Sequence, residues 1–260
     1  MNKSRLNLKN RLRNREKIFG GWISFDHPSI AEIFSLASFD FISIDMEHAP
    51  ISLESAQNLF SRIQAQEIAC LPRPVSHSND LFKPLLDSGC DGLIVQMVNT
   101  YDEAKEIIKK LKYPPLGNRT FGVNRAHSYG IKFNDYINQW NDSSSLIIQI
   151  ESKEGVKNID DILSIEEIDG VMIGPYDLSG SYGFPGDLSN PIVKNAAKKV
   201  IDSCIKYNKS CGTQISEPNT ESINEVFDQG YTFSILGSDL FVLWKWVEEM
   251  KGLIKAERDK

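Results

Sequence analysis

Residues 145–177 read SLIIQIESKEGVKNIDDILSIEEIDGVMIGPYD, and the order of their parts decides the fold. Ser145–Glu151 is a short β-branched apolar run, Lys153–Leu163 places apolar residues at helical spacing, and Gly170–Ile173 is a second apolar run. Two short runs separated by a crossover helix lie parallel in one sheet. The same alternation extends outward from this unit. Runs at Phe19–Ser24, Phe39–Asp45, Ile68–Pro72 and Gly92–Val98 precede it, and Ser210–Ile215 and Thr232–Leu236 follow, eight in all. Amphipathic segments at Leu53–Gln66, Asp80–Ser88, Tyr101–Leu111, Pro191–Tyr207 and Thr220–Gln229 lie between them, with apolar residues at i, i+3, i+4 and i+7. An open doubly wound sheet also alternates, but no G-x-G-x-x-G follows the first run. Eight units within one domain predict a closed (β/α)₈ barrel.

Length and composition agree with that reading. The chain has 260 residues, 41% hydrophobic and 25% charged, with no Pro/Gly/Ser-rich linker to divide it. The expected organisation is a basic leading helix over residues 1–18 and one barrel domain over 19–260. The basic cluster Lys3, Arg5, Lys9, Arg11, Arg13, Arg15 and Lys17 reads as a solvated helix. The net charge of −6 argues against a nucleic-acid partner, which requires a basic face. No segment reaches the ~20 apolar residues of a membrane span, and no secretory signal opens the chain. Cys70, Cys90, Cys204 and Cys211 lack metal-site spacing and sit mostly in apolar runs. They read as reduced core thiols of a cytoplasmic protein.

A (β/α)₈ barrel assembles its active site at the C-terminal ends of its strands, so the residues closing each run carry the functional information. The second run closes with Asp45-Met46-Glu47-His48-Ala49-Pro50 and the third with Arg73-Pro74. The fifth closes with Gln149-Ile150-Glu151, where period-two alternation puts Gln149 and Glu151 on one face. The sixth closes with Gly174-Pro175-Tyr176-Asp177. Any one of these groups has an ordinary structural reading, such as a helix cap at Asp177 or a loop histidine at His48. Converging on one mouth, they would repel or remain desolvated without a cation or substrate. Glu151 and Asp177 make a two-carboxylate oxygen site with open coordination positions, suited to Mg²⁺ or Mn²⁺, with Co²⁺ a further candidate. A 2-oxo acid could fill two of those positions, with amides of the Gly174–Asp177 turn directed at its carboxylate.

These strings, together with Tyr113-Pro114-Pro115-Leu116-Gly117-Asn118-Arg119, resemble the HpcH/HpaI family of class II pyruvate aldolases from about Phe19 to the last helix. The resemblance implies a pyruvate-domain barrel that reversibly cleaves a 4-hydroxy-2-oxo acid to pyruvate and an aldehyde. It also implies a homohexamer, a trimer of dimers, whose C-terminal helices are exchanged between subunits. Carried over by position, Glu151 and Asp177 become metal ligands. Arg73 stabilises the enolate, and His48, acting through water and oriented by Asp45, is the acid/base. Asp87 of Leu85-Leu86-Asp87-Ser88-Gly89 approaches the histidine of a neighbouring subunit. Gln149, Gly174, Pro175 and Tyr176 hold pyruvate.

Two rival readings stand beside this one. The first is another pyruvate-domain enzyme, such as an acyl-CoA lyase, which calls for extra basic residues. The second is a catalytically silent binding barrel, which has no reason to keep repelling charges at its mouth. Among the other segments, the long stretch Tyr113–Ser144 reads equally as a lid or as an insertion with its own helix at Phe133–Trp140. With Ser216-Glu217-Pro218 and Tyr176, part of it is expected around the aldehyde pocket, where His127 could touch substrate. His27 and His77 read as structural. Leu243, Trp244, Val247, Met250 and Ile254 form an apolar helical face that requires burial, against the chain itself or against a partner.

Overall fold

The protein was analysed as a computed structural model, in which residues 3–260 are described. Its eight parallel strands are β1 (Ile18–Ile23), β2 (Phe41–Ile44), β3 (Ala69–Cys70), β4 (Gly92–Val95), β5 (Ser145–Ile150), β6 (Gly170–Ile173), β7 (Ser210–Ile215) and β8 (Phe233–Leu236). The pairing order is β3-β2-β1-β8-β7-β6-β5-β4, so the ends of the ladder are consecutive strands. The Asp91 and Ile94 amides donate to the Cys70 and Pro72 carbonyls and bridge that seam. The fold is a (β/α)₈ barrel.

The helices are α1 (Lys3–Arg13), α2 (Pro28–Ser35), α3 (Leu53–Ala65), α4 (Asn79–Asp87), α5 (Tyr101–Leu111), α6 (Phe133–Ser143), α7 (Lys153–Lys157), α8 (Ile159–Leu163), α9 (Pro175–Ser181), α10 (Pro191–Lys206), α11 (Thr220–Asp228) and α12 (Asp239–Arg258). The helix read over Lys153–Leu163 is split at Asn158 into α7 and α8. Side chains at Ser52, Ser78, Thr100 and Asn219 cap α3, α4, α5 and α11, each satisfying an orphan amide at the first turn.

Two apolar layers result. Outside the barrel, residues such as Ile148, Ile150, Leu59, Phe82 and Ile107 pack strands against helices. Inside it, Phe41, Ile94, Ile147, Met172, Phe233 and Ile235 fill the axis. Gly20 and Gly212 leave the space that the Phe41 and Phe233 rings occupy, since a Cβ on either would fall within 2.5 Å of a ring carbon. Ile147 faces inward while Ile148 and Ile150 face the helices, so the one face that alternation gives Gln149 and Glu151 is the inward one.

The leading helix is not the solvated segment its charge suggested. Leu8 and Leu12 of α1 join the interior layer and close the barrel's N-terminal face. Lys9 is buried there, with Nζ 2.8 Å from both Asp169 carboxylate oxygens and 2.9 Å from the Ser144 carbonyl. Lys112 lies nearby and donates to the Asn141 and Ser144 carbonyls at 2.7 and 3.1 Å. Burial and the neighbouring Lys9 charge push the Lys112 amine down to about 7. Basic residues that look like surface charge are thus consumed by the barrel floor, where carbonyls at the strand starts supply acceptors.

The stretch after α5 resolves as the insertion rather than the lid. It joins the end of a helix to the start of β5, so it lies on the N-terminal face, opposite the strand ends. Its core is Arg119, buried among the rings of Tyr113, Tyr136 and Trp140 and bonded to Asp87 at 2.9 Å. His127 is fully buried there, 3.2 Å from the Tyr113 hydroxyl. Neither His127 nor the surrounding loop reaches the mouth of its own barrel, contrary to the expectation that they would border the aldehyde pocket. Among the described residues no helix is long and apolar enough to cross a membrane.

Candidate active site

Strand termini β2 and β3 meet first. Asp45 and Arg73 form a parallel bridge beyond their strands, with the Met46 amide on the Arg73 carbonyl and the Arg73 amide on the Ile44 carbonyl. This backbone lock sets the Arg73 guanidinium over the Trp22 ring at 4.7 Å. Arg73 Nη2 lies 3.0 Å from Asp45 Oδ1, Nη1 lies 3.1 Å from Glu47 Oε2, and Nη1 reaches Gln149 Oε1 at 3.5 Å. Arg73 is therefore held rigidly by two carboxylates and an aromatic face.

Asp45 was expected to orient the His48 imidazole, and the structure assigns it a different contact. Its Oδ1 accepts the main-chain N–H groups of Glu47 and His48, each at 3.1 Å, besides the guanidinium. Through these bonds the Asp45 carboxylate shapes the Met46–His48 turn. The carboxylate near the imidazole is Glu47, with Oε2 3.8 Å from His48 Nε2. Glu47 thus links Arg73 to His48, a role the sequence reading had not given it. The His48 ring itself is largely exposed at the mouth.

On the other side, Glu151 is buried beside Gln149, whose side-chain amide donates to it. Glu151 Oε1 also accepts the Met97 amide at 2.8 Å. Met97 takes a left-handed conformation, φ 50°, to present that N–H, a contribution no sequence signal announces. Burial raises the Glu151 carboxyl to about 7, with Asp177 and Glu47 adding repulsion against the Met97 bond. Glu47 is raised by burial too, against the opposing pull of Arg73 and His48, and feels Asp177 as well. Glu47 from the β2 end and Asp177 from the β6 end thus lie near enough to Glu151 for their charges to push its carboxyl further up. Gly174 permits this approach: a Cβ there would lie 2.4 Å from Glu151 Oε2 and 2.9 Å from Gln149 Nε2. Gly174 uses its own N–H on the Ile150 carbonyl and Pro175 has none, which leaves the Tyr176 and Asp177 amides at the start of α9.

The donor set fits a hard divalent ion in part. Glu151 and Asp177 are two oxygen ligands, and the raised Glu151 carboxyl marks a place where positive charge would be welcome. Among the described residues no three His, Cys, Asp or Glu side chains converge to hold a metal by themselves, so substrate and water oxygens would complete the shell. A cavity of about 430 Å³ opens beside His48 and Arg73, walled by the ends of β1, β2, β7 and β8 and by the start of α12.

Asp87 stands apart from this group. At the end of α4 it lies on the N-terminal face, paired with Arg119. His27 caps α2 by accepting the Ser29 amide, and His77 bonds the Gln96 carbonyl at 2.7 Å rather than capping its helix.

A parallel barrel that gathers a histidine, a clamped guanidinium and buried carboxylates at its C-terminal face has the makeup of a lyase site. Residues 19–245 match the HpcH/HpaI aldolase/citrate lyase family, and the chain belongs to that family and is an aldolase. A 2-keto-3-deoxy-L-rhamnonate aldolase of Escherichia coli is 39% identical over 96% of this chain and 94% of that protein. A solved HpcH/HpaI aldolase/citrate lyase family protein from Burkholderia cenocepacia J2315 superposes with a TM-score of 0.90 at 27% identity, covering 96% and 99% of the two chains. The citrate synthase SbnG superposes at 0.84 with 27% identity, covering 97% and 99%.

Proposed function

We propose that the protein is a divalent-metal-dependent aldolase that reversibly cleaves a 4-hydroxy-2-oxo acid to pyruvate and an aldehyde. The observation that carries this reading is the buried Glu151 carboxylate, raised by burial and by the Asp177 and Glu47 charges, at the same mouth as a guanidinium clamped between Asp45 and Glu47. Glu151 and Asp177 would hold the ion, which when bound supplies Lewis acidity toward the 2-oxo acid. Mg²⁺ and Mn²⁺ suit an all-oxygen shell, with Co²⁺ a further candidate.

The chain's own residues do the rest. Gln149, Gly174, Pro175 and the Tyr176 and Asp177 amides cradle the pyruvate end. His48, through a water molecule, takes the proton from the 4-hydroxyl. The C3–C4 bond then breaks, its electron pair becomes the enolate, and the aldehyde departs. Arg73 stabilises the negative charge that develops on the former 2-oxo oxygen. His48, through water, then returns a proton to C3, which yields pyruvate. Asp45 keeps Arg73 and the Met46–His48 turn in place.

We further propose a homohexamer, a trimer of dimers with exchanged C-terminal helices, working in the cytoplasm. Within its own chain α12 buries only Asp239, while Trp244, Trp246 and Leu253 stay more than half exposed, and such an apolar helix calls for a partner. Asp87 would act on a neighbouring subunit's histidine, and its position on the N-terminal face agrees with service outside its own barrel. Its four cysteines are unpaired and buried, as in reducing compartments. We also propose a leading segment over 1–18, carrying α1 (Lys3–Arg13), ahead of one barrel domain over 19–260, with β1 already beginning at Ile18.

Incubation with pyruvate and Mg²⁺ or Mn²⁺ in deuterated water tests the reading. Loss of the methyl proton signal supports it. No exchange with any divalent ion would leave an acyl-CoA lyase or a silent barrel.

A further inference from the structure

The cavity beside His48 has a chemistry of its own. Phe25, Ile51, Leu240 and Phe241 give it apolar walls, and no lysine lines it. Its single arginine is Arg73, which is already shared between Asp45 and Glu47. At its rim stands Asp26, exposed to the cavity and set by a built turn. The buried Asp239 carboxylate accepts the Ser24 and Phe25 amides at 2.8 and 2.9 Å. The Ser55 hydroxyl then donates to Asp26 Oδ2 at 2.5 Å. One Asp26 oxygen is thereby tethered, and the other has no side-chain or main-chain donor among the described residues.

Resting on the aldolase reading above, we infer that Asp26 is a specificity-determining residue of the aldehyde side, selecting an uncharged aldehyde that carries a hydroxyl and rejecting one that carries a carboxylate. An ionised carboxylate at the distal end of the aldehyde would meet Asp26 in a cavity lined by no lysine and by no arginine besides the already paired Arg73, and like charges at short range in a partly dry cleft repel strongly. A hydroxyl at the same place can donate to the untethered Asp26 oxygen, and the apolar walls accommodate the carbon chain. A site built to accept a hydroxyl discriminates by leaving its acceptor unmet when the wrong group enters.

The test compares 4-hydroxybutanal with 4-oxobutanoate, aldehydes of equal length that differ in one terminal group, in condensation with pyruvate by the intact protein with Mn²⁺. Each rate is referred to the same sample's pyruvate methyl exchange. The natural protein is expected to favour 4-hydroxybutanal in kcat/KM by about tenfold or more. Asp26→Asn, which removes the charge at constant shape, should cut that preference by about tenfold, chiefly through a lower KM for 4-oxobutanoate. Ser55→Ala keeps the charge and loses the tether, so it should raise KM for 4-hydroxybutanal while still rejecting the carboxylate. Equal use of the two aldehydes, or an undiminished preference in Asp26→Asn, overturns the assignment while the exchange signal still supports an aldolase. Absence of exchange overturns the parent reading and this one with it.

Discussion

Arg73 and His48 sit 3.1 and 3.8 Å from the same carboxylate oxygen of Glu47, which makes this glutamate the link between the two groups to which the proposed mechanism gives enolate stabilisation and proton transfer. Three outcomes follow from these side chains. His48→Ala should lose turnover by ~10²–10⁴-fold, the usual contribution of a general base, while pyruvate binding measured by calorimetry persists. Loss of pyruvate binding in that variant would make His48 a binding residue. Arg73→Lys keeps the charge but cannot satisfy Asp45, Glu47 and Trp22 together, because the planar fork is lost. Its kcat should fall by at least about tenfold with little change in thermal stability, and near-normal kcat would remove Arg73 from the enolate role. Removing either Glu151 or Asp177 should abolish turnover, and retained activity of the natural protein in excess chelator would sink the metal assignment.

Elements decide how closely these groups meet. The first turn of α9 starts at Gly174 because only a residue without a Cβ lets the β6 end pass Glu151 and Gln149. Gly174→Ala should therefore displace the Glu151 carboxylate and depress kcat, whereas Gly180→Ala in the same helix meets nothing within 4 Å and serves as control. Comparable activity in the two variants would show that the site tolerates the shift. The α12 helix makes the opposite case. Its N-terminus is fixed by Ser238 and Asp239, but none of its apolar residues is buried within the chain. Trp244→Glu should lower the assembly's mass in sedimentation at micromolar concentration, because a charge would be buried at the contact. An unchanged mass would mean that this face is not the interface.

At the scale of the whole molecule, one end of the barrel carries chemistry and the other carries stability. The N-terminal face is closed by α1, whose Lys9 forms a buried pair with Asp169. Removing one partner of such a pair leaves an uncompensated buried charge, typically ~3–5 kcal/mol. Arg13, 3.2 Å from Asp169, offsets part of this in Lys9→Met, which should still show a clearly lower urea midpoint. Lys112 adds a pH dependence. Its amine, held down to about 7 by burial, has an ordinary value of 10.5. Between those values the unfolded chain binds the extra proton, so stability rises as pH increases from about 7 toward 10.5. The rise in urea midpoint between pH 7 and pH 10 should be smaller in Lys112→Met, and an equal rise in the two proteins would show that Lys112 stays charged in the fold.

The amino-acid sequence by itself determined the barrel, because eight apolar runs separated by helical spacing admit few topologies, and each run's last residues must sit at one face. It likewise determined that Gln149 and Glu151 share a face, since a strand alternates with period two. Tertiary structure alone decided the rest. Whether Asp45 addresses the His48 ring or its main chain depends on Arg73 arriving from the next strand to claim the carboxylate. Glu47 became central only when the β5 and β6 ends were brought across from it. The basic leading segment carries the composition of a solvated helix, yet the barrel floor offers Asp169 and the Ser144 carbonyl, a charged acceptor and a carbonyl that local sequence cannot foresee. Periodicity reports which residues share a face, and burial is settled by what the folded chain places opposite that face.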